Sequence, residues 1–457
     1  MSGLFGTLSI ALGALEAQQA GLQTTTNNVA NLNTPGYSRE RPILEEADPI
    51  VQNNIAFGGG VELEGIQSLR SNLLDMQISE ETQQQGNSQA AVNAMDQVQT
   101  LFPDDTTGIG AQISAFFQSL NSLSTNPSDL TLRQSVLSAA GNMATAFNDV
   151  SGQITQVSSQ LDDNVQQQVQ QVNQLSQQIA AINVKLATVN STGQDYGTFL
   201  DQRTALIQQL SGIIDVSQIN NGSSLTLTTK QGAALVVDGQ AYALTTSPDA
   251  SGVQHIYSSQ GSDITGDISG GQLGGLLQVR DQTLPALQSQ LDSLAGGMVQ
   301  ALNTAHQQGT DLNGNPGGNL FDPITGAGAA ASMKVAITDP ALLAAGSDGS
   351  SGSNGNIANL SGVANQTVSN GMTPSGAYGN LVFQVGMSIS DSTTDLNAST
   401  AMLQQLQQQQ TSVSGVSLDE EASNLLLYQR AYQAAAQAIT AVNQMLETAI
   451  NMGAGSA

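Results

Sequence analysis

Both ends of this chain carry helices whose apolar residues return every seven positions, so each end must find a partner along a continuous seam. At the start, Phe5 and Leu12 alternate with Leu8, Leu15, Leu22 and Val29. At the end, Leu425, Tyr432, Ile439 and Leu446 alternate with Tyr428, Ala435, Val442 and Ala449. A seven-residue repeat keeps one seam turned towards a neighbouring helix, as in a coiled coil. The first seam also contains Gln19 and Thr26, which makes it too polar to bury in a simple pair. Ordering two such backbones costs about as much as burying their few large side chains returns. The ends are therefore expected to be mobile in a lone copy and to order against further copies.

Charge narrows the class of partner. Ten Lys and Arg stand against 36 Asp and Glu, a net charge of −26 over 457 residues. The cations, Lys185, Lys230, Lys334 and Arg133 among them, are scattered. Phosphate recognition needs basic clusters, so nucleic acid and anionic membrane are excluded as expected partners. The chain has no Cys and no Trp, which excludes disulfides and thiolate metal sites. No stretch approaches the roughly 20 apolar residues of a membrane span. The first basic residue is Arg39, so a secretory leader with a positive n-region is not expected, and export would use a route without a cleaved apolar leader. The acidic excess either keeps an extended extracellular surface soluble or discourages association before export.

The N-terminal helix is predicted over Ser2–Asn31, stopping in Asn31-Leu32-Asn33-Thr34-Pro35-Gly36-Tyr37, where Pro-Gly suits the centre of a type II turn. Residues 38–68 read as extended, and helix resumes from Leu69 to Leu101 with a break allowed at Gly86. The longest helix is placed after Asn126-Pro127-Ser128-Asp129, with Asn126 as cap and Pro127 in the first turn. Its apolar positions step by three and four from Val136 to Leu161, shift at Val165 and Val169, and resume to Val189. A shorter helix covers Tyr196–Leu210. Short β-prone runs follow up to about Ile268, among them Leu225-Thr226-Leu227-Thr228 and Leu235-Val236-Val237. Helix returns over Gly274–Gln308 with a kink near Pro285, and again over Ser390–Gln410; 310–375 reads as irregular surface. Ser417 and Glu420 form a capping-box pattern at the start of the last helix.

The expected fold is mainly α with a small inserted β domain. Terminal heptad helices (1–50 with 412–457) form a coaxial assembly domain, a long helical bundle comes next (51–212 with 269–411), and a β-rich outer domain occupies 213–268. Asp311, Asn313 and Asn315 begin a calcium-loop spacing, but Pro316 stands where such a loop needs Gly and Asp322 where it needs Glu. A Gly-rich turn is the better reading, and no cofactor or metal is expected. His255 and His306 lack nearby carboxylate or metal spacing in the sequence and read as surface or helix-face residues rather than general bases. Nothing in the sequence has the pattern of an enzyme.

Several segments together resemble the bacterial flagellar hook-associated protein 1 family, the junction proteins between hook and filament. Ala30-Asn31-Leu32-Asn33-Thr34-Pro35-Gly36-Tyr37-Ser38-Arg39 resembles the signature shared by flagellar rod, hook and junction proteins. Phe199–Arg203, His306–Asn315 and Ser414–Glu421, in that order, narrow the resemblance to the junction family. It spans most of the chain and is weakest across 320–375, where a second outer domain is expected to be reduced or missing. The resemblance implies a structural adaptor joining hook to filament, exported unfolded through the flagellar type III apparatus and built into a ring with the terminal helices as an inner tube. It implies as partners like subunits, hook protein, the second junction protein (hook-associated protein 3) and an export chaperone at the C-terminal helix. Asn31, Thr34, Pro35, Gly36, Tyr37 and Arg39 match the axial signature, and would shape the turn out of the inner helix and contact neighbouring subunits, or else form a helix stop of local importance. The expected interface residues are Phe5, Leu8, Leu12, Leu15, Leu22, Val29, Leu425, Tyr428, Tyr432, Ile439, Val442 and Leu446. Another axial protein such as the hook subunit, and a secreted adhesin or calcium-binding exoprotein, are the alternatives. A polysaccharide-degrading enzyme would need a carboxylate pair that the sequence lacks.

Overall fold

The computed structural model describes residues 2–52, 55–103, 108–192, 197–221, 224–350 and 352–454. Helix α1 (Ser2–Ala30) leads into an antiparallel ribbon of β1 (Glu40–Glu46) and β4 (Val61–Ser68), between which β2 (Ile50–Gln52) and β3 (Ile55–Phe57) pair as a short hairpin. The body holds α2 (Asn72–Gln99), α3 (Ile109–Leu123), α4 (Leu130–Thr192) and α5 (Gly197–Ile213). A strand insert comes next: β5 (Ser217–Asn221), β6 (Ser224–Thr228), β7 (Ala234–Val237) and β8 (Gln240–Ala241) form one meander, and β9 (Thr245–Pro248) pairs with β10 (Gln254–Tyr257). Then come α6 (Gly271–Gln278), α7 (Leu284–Gln307), α8 (Ala329–Ser332), α9 (Ile357–Gly362), α10 (Pro374–Ser414) and α11 (Leu418–Ala454). The protein is mainly helical with a small strand insert in mid-chain.

The 63-residue α4 is the spine. Its buried residues run from Val136 through Phe147, Leu161 and Val172 to Leu186, with α3, α5, α7 and the strand insert packed along it. The insert shares this core: Asn173 Nδ2 donates to Leu244 O at 2.8 Å, and Asn183 Nδ2 to Asp238 O at 2.6 Å. Leu225, Leu227, Leu235 and Val236 are buried in the same cluster.

Several elements differ from the sequence reading, each for a physical reason. No element was read across 102–125, yet α3 fills it, with Ile109, Ile113, Phe116, Phe117, Leu120 and Leu123 buried at helical spacing. Helix α4 begins at Leu130 because Asp129, not Asn126, is its cap: the carboxylate accepts from the Thr131 and Leu132 amides at 2.7 and 3.3 Å. Helix α2 runs unbroken through Gly86. A Cβ there would stand 2.3 Å from the carbonyl oxygen of Gly212, so the glycine lets α2 and α5 meet backbone to backbone. The break expected near Pro285 is a π turn over Val279–Thr283, which relieves the proline's clash with the preceding turn. Helix α10 starts at Pro374 rather than Ser390, behind a Thr373 side chain that accepts from the Gly376 amide. The expected start at Tyr196 lies outside the described residues.

The stretch 310–375 is not merely surface. Leu320, Phe321, Ala330, Met333, Leu343, Leu360 and Val363 are buried, so a Gly-rich coat is pinned over α3, α4 and α7 by scattered apolar anchors. The described residues of this stretch hold short helices and isolated bridges rather than a sheet.

Candidate assembly site

Helix α1 packs along α11, and its adjoining face packs on the β1–β4 ribbon. Gly21 and Asn28, seven residues apart, face α11: a Cβ at Gly21 would lie 2.7 Å from the Tyr428 ring, and Asn28 bonds Glu421. Gly6 and Gly13, also seven apart, face the ribbon side, against Ile50 and the Val61 carbonyl. The tight faces of α1 thus run through Gly, Ala, Thr and Asn. Ala11, Ala17, Thr24, Thr25 and Asn28 are its buried residues with side chains. Small residues allow close helix approach, and that signal, small residues at Gly6, Gly13, Ala17 and Gly21, was available in the sequence.

The seam expected from the large apolar residues lies beside these faces. Leu8, Leu15, Leu22, Leu425, Tyr428, Tyr432, Ile439 and Leu446 are half-buried, and Val442 is buried. Phe5, Leu12 and Val29 stay exposed, Phe5 at 58%. On α11, Leu426, Leu427, Met445 and Ile450 are exposed as well. The pair of terminal helices therefore hides its small residues and leaves large apolar ones in solvent. Patches of that kind mark interaction sites.

At the end of α1 the chain reverses as Pro-Gly dictates: the Tyr37 amide donates to Thr34 O at 3.2 Å across Pro35 and Gly36, and Gly36 has φ +77°. Asn31 Oδ1 accepts from the Thr34 hydroxyl at 3.1 Å. One turn earlier, Asn28 is the hub of a buried polar node. Its Oδ1 accepts from the Tyr37 hydroxyl (2.8 Å) and the Glu40 amide (3.0 Å), and its Nδ2 donates to Glu40 O (2.9 Å) and Glu421 Oε2 (3.2 Å). Arg39 spans the same gap, with Nε 2.6 Å from Glu421 Oε1 and Nη2 2.9 Å from Glu420 Oε1. Burial works against the Arg39 charge, but the two carboxylates outweigh it and hold its pKa above the ordinary value. Glu420, half of the capping-box pattern in the sequence, reaches Arg39.

The node extends into the body. The Arg39 amide donates to Ser414 O at 2.8 Å, and the Ser38 amide to Asp201 Oδ2 at 3.1 Å. Arg70 Nη2 lies 2.8 Å from Asp201 Oδ1 and donates to the Thr204 hydroxyl at 3.1 Å. Burial raises the Asp201 pKa despite Arg70 and Ser38. Segments 31–39, 199–203 and 414–421, far apart in sequence, meet here around a cleft of about 500 Å³.

A profile of the flagellar hook-associated protein FlgK helical domain matches residues 95–321. Along its whole length the chain is 30% identical to flagellar hook-associated protein 1 of Bacillus subtilis, all of which it covers. The chain belongs to the flagellar hook-associated protein 1 family. It is 25% identical to the Salmonella typhimurium member, over 97% of this chain and 99% of that one. The solved flagellar hook junction protein FlgK of Burkholderia pseudomallei shares the fold, with TM-score 0.67 and 18% identity over 74% of this chain and 100% of that one. Profiles of the flagellar basal body rod protein and the rod FlgEFG C-terminal region match residues 8–37 and 407–452, which hold most of α1 and of α11 and, in 31–37 and 414–421, two of the three segments of the node. The protein is a structural adaptor of the flagellar hook–filament junction and associates with flagellar components. Among the described residues no helix is long and apolar enough to cross a membrane.

The remaining candidate residues fall outside this node. Asp311 is turned onto its own loop, its carboxylate accepting from the Asn313 and Asn315 amides at 2.8 Å each. His306 is fully buried rather than a surface residue, donating from Nδ1 to Gly318 O (2.8 Å) and accepting at Nε2 from the Ala344 amide (2.9 Å). Burial lowers its pKa, so it is a neutral clasp for the coat. His255 does have carboxylate neighbours: Asp263 lies 2.6 Å from Nδ1 and Asp249 3.8 Å from Nε2. The strand turns bring these together, which linear spacing hid.

Proposed function

We propose that this family member joins hook to filament as one of a ring of like copies, in which α1 and α11 build a coaxial inner wall. The division into a terminal assembly unit (1–50 with 412–457), a helical bundle (51–212 with 269–411) and a strand unit (213–268) belongs to the same reading. What supports it is the contrast in burial. The middle body holds a continuous buried core, whereas among the described large apolar residues of α1 and α11 only Val442 is buried, and Phe5, Leu12, Leu426, Leu427, Met445 and Ile450 lie in solvent. Neighbouring copies would cover them, and the heptad residues from Phe5 to Val29 and Leu425 to Leu446 form the interface. The axial motif of Asn31, Thr34, Pro35, Gly36, Tyr37 and Arg39 sets the angle at which the chain leaves the wall for the body.

Hook protein lies on one side of this ring and hook-associated protein 3 on the other. The exposed face of α11 serves an export chaperone before assembly. The protein works outside the cell, where its role is structural rather than catalytic. The test is a deletion strain. Hooks that form and flagellin that is secreted without polymerising on them, both reversed by restoring the gene, support the junction role. Filaments that still grow on hooks in the deletion strain refute it.

A further inference from the structure

The far end of the β1–β4 ribbon is exposed on both faces. Leu44 and Leu63 sit opposite each other on one face, and Glu45 and Glu62 sit opposite each other on the other. All four are exposed, as is Glu46 beside them. The hairpin between the strands adds exposed Val51 and Phe57. A two-stranded ribbon is marginal in water by itself, and directly opposed like charges weaken it further. The Leu44–Leu63 face also carries Glu46, two residues along β1, so it calls for an apolar cover that brings a cation.

Cations are scarce in this chain, and most are engaged. Arg39, Arg70 and Arg280 pair with carboxylates, Arg133 is buried among carbonyls, Arg203 bonds Asn183, Arg41 bonds Gln67 and Lys185 lies over Phe199. Arg430 is exposed on α11, and the residues three and four positions before it, on the same side of the helix, are the exposed Leu427 and Leu426. That face offers what the ribbon lacks: apolar area and a positive charge.

We propose that the Leu44–Leu63 face of the ribbon tip of one copy docks on the Leu426-Leu427-Arg430 face of the next copy, with Arg430 against Glu46 on that same ribbon face. The inference rests on the proposed ring and gives it a specific contact. Different patches meet head to tail, so each copy offers both halves and the contact propagates around a ring. Charge complementarity favours a second copy over the other possible occupants. Every other copy presents the required cation, whereas a partner recognised by apolar area alone would leave Glu46 uncompensated.

The chain has no cysteine, so single thiols report contacts cleanly. Leu44→Cys and Leu427→Cys variants are co-expressed in cells lacking the native gene, and flagella are isolated and mildly oxidised. The expected result is a disulfide-linked dimer containing one copy of each variant, with yield falling about fivefold when Arg430→Glu is added and returning when Glu46→Lys accompanies it. Both variants present on isolated flagella with no mixed dimer would overturn the docking while leaving the junction role intact. Variants absent from flagella when the unmodified protein is present are read by motility instead. There the double charge swap must restore swimming lost in Arg430→Glu, and failure to restore it overturns the proposal. Absence of the unmodified protein from isolated flagella would count against the junction role itself.

Discussion

Asn28→Ala should uncouple the terminal helices from the rest of the chain more than any other small truncation. Asn28 is 1% exposed and makes four hydrogen bonds. Truncation removes the bonds that Asn28 makes to the amide and carbonyl of Glu40, and Glu40 is itself buried. Loss of a bond to a buried polar group costs about 1–3 kcal/mol. Tyr37 is half-buried and can turn to water, while Glu421 keeps Arg39. Alanine returns about 0.5 kcal/mol of helix propensity. The net expectation is a loss of about 2–4 kcal/mol, felt where α1, α11 and the ribbon join rather than in the α4 core. Hydrogen exchange followed by mass spectrometry checks it. Amides of 37–40 and 418–424 should exchange roughly 30- to 700-fold faster, since each 1.4 kcal/mol is a factor of ten, while those of 140–175 stay unchanged. A change below threefold in the first set would show that the node does not hold the helices.

Gly86→Ala, a gain of about 1 kcal/mol on helix propensity alone, should instead lower the thermal midpoint, because the new methyl meets the Gly212 carbonyl; a raised midpoint would contradict the close approach of α2 and α5. His306 makes stability depend on pH with a defined sign. Its native pKa lies below the ordinary 6.5, so as pH falls below 6.5 the unfolded chain binds the proton first and stability is lost. Denaturant titrations at stepped pH should show this decline in the native protein and a flatter profile in His306→Gln. Phe5→Gln should leave the monomer's unfolding midpoint within error, as Phe5 is exposed, yet reduce incorporation into flagella scored by motility and immunoblot. A variant that assembles normally would remove Phe5 from the interface.

What the sequence made legible was set by where the physical signal was local. Long periodic runs, such as Val136 to Leu186, give one helix in either reading. The type II turn at Pro35-Gly36 comes from the fixed φ of proline and the freedom of glycine to take a positive φ, and needs no context. Helix α3 has regular spacing but no local start signal, since its N-cap Gly108 offers no side-chain hydrogen bond. Helix α10 extends N-terminal of the predicted Ser390 through Gly376, Gly379 and Gly386, residues that disfavour helix, because the Thr373-Pro374 cap and the packing of α10 on α2 override them. The axial motif was visible as a string, but its hub was not. Asn28 lies three residues before Asn31 and reads as an ordinary polar position on a helix. Its partners Glu40 and Glu421 are 12 and 393 residues away, and only the fold sets those separations. The glycine and alanine faces of α1 went unread for a related reason: hydrophobic patterning weighs large side chains, while close packing of two helices selects small ones.

Hydrogen exchange along α1 and α11, compared between dilute monomer and protein held in isolated flagella, tests the central claim most directly. In the monomer, amides of 5–20 and 430–450 should exchange far faster than those in the buried middle of α4, and in flagella they should become comparably slow. Terminal helices already as protected as α4 in the dilute monomer would mean that one copy completes its own ends, and assembly would then need another explanation.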